Sequence, residues 1–260
     1  MNIEQLKTFK QSAEKITCLT AYDASFAKLF DECGIDVILV GDSLGNVIQG
    51  GENTLGVTME DMVYHTQSVA KGIQGALLIA DMPYQSYDNA NQTLANARRL
   101  IDAGAQMVKL EGGQEHKDSF EILQANNIPV CGHLGLQPQS VIEMGGYKVQ
   151  GKDGASAKRI IDDALYLEVL GVKTLVLECV PAALAKQVSQ ALSIPTIGIG
   201  AGVYCDGQVL VSYDMFGINT SRLPRFVKNF LEDNDSIQAA VNAFIVAVKD
   251  QTFPGDEHSY

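Results

Sequence analysis

Seven side chains that could do chemistry stand at the ends of apolar runs. Asp42 and Ser43 follow the run 37–41, and Asp81 follows 76–80. Lys109 and Glu111 close the run that starts at Met107, His133 follows 129–132, and Glu178 follows 174–177. If these runs are parallel strands, all seven residues arrive at one edge of one sheet. Asp42 and Asp81, from neighbouring strands, with Glu111 nearby, suit a hard divalent cation. Magnesium takes oxygen ligands, keeps waters and commonly uses only one or two carboxylates. A 2-oxo acid can complete such a site through its keto and carboxylate oxygens, and the metal then makes the neighbouring C–H more acidic.

Each residue also has a plainer reading. Asp42 and Asp81 could cap helices, but Gly45, Gly50 and Gly51 follow one and Pro83 the other. Glu178 precedes Cys179-Val180-Pro181, an awkward gap for a cap, which favours a catalytic carboxylate. Lys109 lies between Val108 and Leu110 and points to the same side of a strand as Glu111. It is a structural ion-pair partner, an anion clamp or a Schiff-base nucleophile. His133 could be a core histidine, but the glycines around it suggest close backbone approach. His65, His116 and His258 read as surface or packing residues. The glycines at 198, 200 and 202 lack the spacing of a dinucleotide or P-loop motif and read as tight backbone at a strand end.

The elements that must position these groups alternate along the chain. Strands are expected at 16–20, 37–40, 76–80, 107–110, 129–132, 174–177, 195–199 and 208–211. Several are apolar at successive positions, as strands buried on both faces should be. Helices are expected at 23–33 with Asp23 as cap, and at 58–72 with a Thr58–Asp61 capping box. Others are expected at 91–104, 115–126, 156–171, 181–192, 223–232 and 235–249. The stretch 202–207 is too short for a full helix. No linker divides the chain, so residues 1–260 are expected to form one α/β domain, a single (βα)8 TIM barrel. A doubly wound open sheet is the main alternative, but eight units in 260 residues favour closure. Ile237, Val241, Phe244, Ile245 and Val248 put an apolar stripe on the last helix (about 235–250), which is expected to pack on a neighbouring subunit.

The net charge of −12 argues against nucleic acid and anionic membranes as partners. An anionic substrate therefore needs a local positive site. No apolar run is long enough to span a bilayer, and residues 1–10 do not read as a signal peptide. Five cysteines without a CxxC spacing indicate neither a zinc site nor a disulfide framework. A reducing cytoplasm fits.

Longer stretches resemble the ketopantoate hydroxymethyltransferase family. They are LTAYD at 19–23, ILVGDSLG at 38–45, ADMPY at 80–84 with Ser86-Tyr87, and VKLEGG at 108–113. GHLGL at 132–136 with Pro138-Gln139, GYKVQG at 146–151, Leu177-Glu178, GIGAG at 198–202 and DGQVLV at 206–211 complete the set. Gly56 stands where a Pro is usual and Gln137 where Thr is common; neither touches a proposed chemical group. The resemblance implies a barrel of the phosphoenolpyruvate/pyruvate type, Mg2+, and a homo-oligomer, commonly decameric. It implies transfer of a one-carbon unit from 5,10-methylenetetrahydrofolate to 3-methyl-2-oxobutanoate, giving 2-dehydropantoate and tetrahydrofolate. Position by position, Asp42 and Asp81 match magnesium ligands, with Glu111 in the metal site. Ser43, Lys109 and His133 match substrate contacts, together with Asp42 and Asp81, and Glu178 matches the proton acceptor. The rivals are another magnesium-dependent barrel lyase or aldolase, a Schiff-base aldolase using Lys109, and an inactive binding barrel.

Overall fold

A computed structural model describes residues 1–219 and 223–260. Eight parallel strands close into a barrel in chain order. They are β1 (Ile16–Thr20), β2 (Val37–Val40), β3 (Leu77–Asp81), β4 (Met107–Glu111), β5 (Val130–Gly135), β6 (Thr174–Glu178), β7 (Thr196–Ile199) and β8 (Gly207–Leu210). Every residue of β1 to β5 is buried, which explains their unbroken apolar runs: one face fills the barrel and the other meets the helices. The seam closes where β8 pairs with β1, Ile16 opposite Gly207. A side chain at 207 would put its Cβ 2.5 Å from the Ile16 carbonyl oxygen, so the seam requires glycine there. Closure decides against the open sheet.

The helices are α1 (Ile3–Ser12), α2 (Ala24–Cys33), α3 (Leu44–Val47), α4 (Met59–Ala70), α5 (Ala90–Asp102), α6 (Lys117–Ala125), α7 (Gly154–Val169), α8 (Ala182–Ala191), α9 (Ser212–Met215) and α10 (Ile237–Lys249). Local side chains start several of them. Asp23 accepts from the Ser25 and Phe26 amides ahead of α2, and Thr58 and Asp61 form the expected capping box ahead of α4. No helix follows β7, as the short 202–207 stretch implies. Among the described residues, no helix is long and apolar enough to cross a membrane.

Two readings change. Residues 1–10 contribute a helix, α1, whose Leu6 is fully buried and whose Lys10 ammonium lies 2.7 Å from Asp206, just before β8. The stretch 223–232 is not helical. Its Phe226 and Phe230 have helical spacing but are buried by tertiary contacts: Phe226 lies over Gly200, and Phe230 packs edge-on against Phe244 and Phe253. Its polar groups are engaged outside any helix, with Phe230 N donating to Met215 O and Arg225 to the carbonyls of Asp256 and Glu257. The stripe on α10 is largely spent within the chain. Val241, Phe244 and Val248 are buried and the helix packs on α2 and β1, leaving Val246 exposed on the outside.

Candidate active site

Parallel strands deliver their C-terminal ends to one mouth, and there the chemistry converges. Asp81 is the last residue of β3, and β4 supplies Lys109 and Glu111 on its inward side. His133 lies within β5, and Glu178 ends β6. Asp42 and Ser43 occupy the turn between β2 and α3. All but Ser43 and Glu178 are fully buried; the Glu178 side chain keeps 14% of its surface exposed.

These residues form one chain of contacts. The Asp42 amide donates to Asp81 Oδ2 (3.0 Å), and Lys109 Nζ lies 2.7 Å from Asp81 Oδ1 and 4.0 Å from Glu111 Oε1. His133 bridges two acids, with Nδ1 3.2 Å from Glu111 Oε1 and Nε2 3.3 Å from Glu178 Oε2. Ser43 stands at the edge: its Oγ is 2.9 Å from the Tyr22 hydroxyl. A Cβ on Gly41 would come within 2.9 Å of Ser43 Oγ and 3.6 Å of Asp81 Oδ2, so glycine lets the turn close over the cluster.

Charge sets the protonation. Burial, then Asp81 and Glu111, push the Asp42 carboxyl up to about 8, with Lys109 and a hydrogen bond from Gln139 opposing them. Burial alone would push Lys109 down, but Asp81, Glu111 and Asp42 outweigh it and hold the ammonium above the usual lysine range. Glu111 is pulled below the usual carboxylate range despite its burial, because His133 and Lys109 surround it. His133 rises to about 9: burial and Lys109 disfavour its charge, and Glu111 and Glu178 more than restore it.

The donor set fits a hard cation. Oxygen is the only donor type offered by the three buried acids, and Asp81 Oδ1 and Glu111 Oε1 face the cationic groups Lys109 and His133. Among the described residues, no three His, Cys, Asp or Glu side chains are arranged to hold an ion by themselves. An Asp42–Asp81 pair completed by water and substrate oxygens is the arrangement magnesium commonly accepts.

Two residues outside the expected set belong here. Gln139 bonds both Asp42 and Glu111, and Tyr87 bonds Gln139. Both sit in the quoted motifs, but nothing in their types marks them as ligands. A cavity of about 500 Å³ between the Gln114–His116 turn and α7, lined by Glu115, Arg159 and Asp163, includes none of these residues. The three histidines read as packing residues stay outside the cluster; His65, for one, bonds the Tyr22 carbonyl at 2.6 Å. All five cysteines are free.

An acid cluster around a buried lysine at the C-terminal mouth of a parallel barrel defines a TIM-barrel enzyme. The backbone is similar to that of phosphoenolpyruvate phosphomutase from Streptomyces platensis subsp. rosaceus (TM-score 0.63, 16% identity, 96% of this chain and 88% of that one). It is also similar to phosphonopyruvate hydrolase solved with oxalate and Mg2+ (TM-score 0.62, 14% identity, 99% and 93%). The chain belongs to the ketopantoate hydroxymethyltransferase family, whose model matches residues 1–256. The 3-methyl-2-oxobutanoate hydroxymethyltransferase of Ruthia magnifica subsp. Calyptogena magnifica is 72% identical over 260 residues, all of both chains. That of Shewanella halifaxensis is 55% identical over 255 residues, 98% of this chain and 97% of the relative.

Proposed function

We propose that this enzyme transfers a hydroxymethyl group from 5,10-methylenetetrahydrofolate to 3-methyl-2-oxobutanoate, consuming water and giving 2-dehydropantoate and tetrahydrofolate for pantothenate synthesis. The observation that carries the reading is the convergence of Asp42, Asp81, Lys109, Glu111, His133 and Glu178 on one mouth in a chain that the family model matches over residues 1–256. A general magnesium-dependent lyase or aldolase is not favoured, because the relatives that match along the whole chain carry the transferase name.

Asp42 and Asp81 would hold Mg2+, with Glu111 behind them. When bound, the ion supplies Lewis-acid polarisation of the keto group. Lys109, kept as an ammonium by the acids around it, offers the positive charge that a 2-oxo acid's carboxylate needs in a protein of net charge −12. Ser43, held by Tyr22, adds a hydroxyl at the same edge. Glu178 is the most accessible carboxylate of the set, and its role is to take the proton from the branched carbon beside the keto group. The carbanion character left on that carbon forms the new C–C bond to the methylene carbon. Both C–N bonds that tie the methylene carbon to the folate break over the reaction, and water supplies the hydroxyl. Tetrahydrofolate leaves with two protons, one from water and one from the oxo acid. His133 holds Glu178 on one side and Glu111 on the other, so the base is aimed from within the barrel.

The same reading makes the protein a cytoplasmic homo-oligomer, commonly a decamer, of one-domain subunits. Val246, on the outer side of α10, is available to a neighbouring copy. The test of the reading is an assay with 3-methyl-2-oxobutanoate, with and without 5,10-methylenetetrahydrofolate and Mg2+. Product that requires all three supports it; product without folate, or from a different 2-oxo acid only, overturns it.

A further inference from the structure

Gln139 lies in the Pro138–Ser140 turn after β5 and is 4% exposed, and every polar atom of its side chain is engaged. Its Nε2 donates to Asp42 Oδ2 (2.8 Å) and to the Met82 carbonyl (3.0 Å). Its Oε1 accepts from the Tyr87 hydroxyl at 2.6 Å, and its backbone N–H donates to Glu111 Oε2 at 3.0 Å. The amide has only one workable orientation, since a flipped group would set its oxygen against a carboxylate and a carbonyl. Tyr87 is fixed in turn: its carbonyl accepts from Ser119 Oγ at 3.0 Å, which pairs with Thr93 Oγ1 at 2.8 Å, and its ring meets His116 edge-on.

We propose that Gln139 is a positioning residue for the cation site, and that Tyr87 acts through it. The inference rests on the reading of the site given above. Asp42 sits on the turn after β2 and Glu111 at the end of β4, and Gln139 is the residue that hydrogen-bonds to both. A glutamate at 139 would set a further carboxylate against Asp42. A leucine would leave Asp42 Oδ2, the Met82 carbonyl and the Tyr87 hydroxyl without this buried partner. Gln139 touches neither the reacting carbon nor the base; it fixes where the acids stand.

The test is Mn2+ binding, followed by electron paramagnetic resonance, in wild type, Gln139→Met, Tyr87→Phe and the double variant, with circular dichroism confirming the fold. Gln139→Met should bind Mn2+ about 10–100-fold more weakly, the usual loss when a partner behind a metal ligand is removed. Tyr87→Phe should weaken binding by a smaller factor and add nothing in the Gln139→Met background, because its effect passes through the amide. General loosening of the mouth would instead make the two losses add. Affinity within about twofold of wild type in folded Gln139→Met, or additive losses, overturns the inference. If Gln139→Met does not fold, wild-type affinity in Tyr87→Phe overturns it. A wild type that binds no Mn2+ overturns the reading of the site, and this inference with it.

Discussion

In the metal-free protein, His133 makes stability fall as pH rises above neutrality. Its two nitrogens lie 3.2 Å from Glu111 and 3.3 Å from Glu178. Against burial and Lys109, those carboxylates raise the imidazole from 6.5 to about 9. The unfolded chain therefore loses this proton first. The stabilisation is complete below 6.5 and gone once pH passes about 9. That gap corresponds to about 3 kcal/mol, at about 1.4 kcal/mol per pH unit. Asp42, raised from 3.8 to about 8 by burial, Asp81 and Glu111, also gives up stability with rising pH, but its window closes first. Buried Cys131, Cys179 and Cys205, their thiols pushed up by burial, add an alkaline loss common to wild type and variant. The readout is therefore a difference: urea unfolding in EDTA between about pH 6 and 9.5, wild type against His133→Gln. Between pH 8 and 9 the wild type should lose about 1 kcal/mol more than the variant. Equal slopes in the two chains would refute the charged-bridge account of His133.

Asp81→Asn takes an anionic oxygen from the cation site and leaves Lys109 without its 2.7 Å partner. Titration should show weaker Mn2+ binding, with activity partly restored by excess Mg2+, and unfolding should show a loss of about 3–5 kcal/mol; wild-type metal affinity would contradict this. Borohydride with 3-methyl-2-oxobutanoate should trap nothing on Lys109, because an ammonium held by three acids is no nucleophile. A stable mass increase on its peptide would establish Schiff-base chemistry instead. Phe244→Ala empties a fully buried position against Phe230 and Phe253, and should lower stability by about 3–5 kcal/mol. A loss under about 1 kcal/mol would mean that α10 is not part of the barrel's core.

The barrel was legible in the sequence because strands buried on both faces write themselves as short apolar runs. β1 and β2 match the expected bounds, and the others differ by one to three residues at an end. What moved were the polar ends: β3 takes in Asp81, and β5 continues through His133 to Gly135. Residues 223–232 misled because Phe226 and Phe230 repeat at helical spacing for tertiary reasons, in a segment that carries Pro224. α1 was missed because its apolar positions are sparse and only Leu6 is fully buried. The α10 stripe was visible, but periodicity says only that a face is covered, not by what. At the mouth, residue type and strand-end position exposed the acids, the lysine and the histidine. Gln139 and Tyr87 could be found only from the structure, since a glutamine or tyrosine signals nothing until its partners are known.

If Glu178 takes the proton from the oxo acid, hydrogen exchange measures that step without folate. Wild type with Mg2+ and 3-methyl-2-oxobutanoate in D2O should exchange the methine hydrogen, followed by loss of its NMR signal. Glu178→Gln keeps the shape and the neighbouring His133 while removing the base. Exchange should fall by about 10²–10⁴-fold, with Mn2+ and oxo-acid binding largely retained. Near-wild-type exchange in Glu178→Gln would contradict the account and move the role of base to His133.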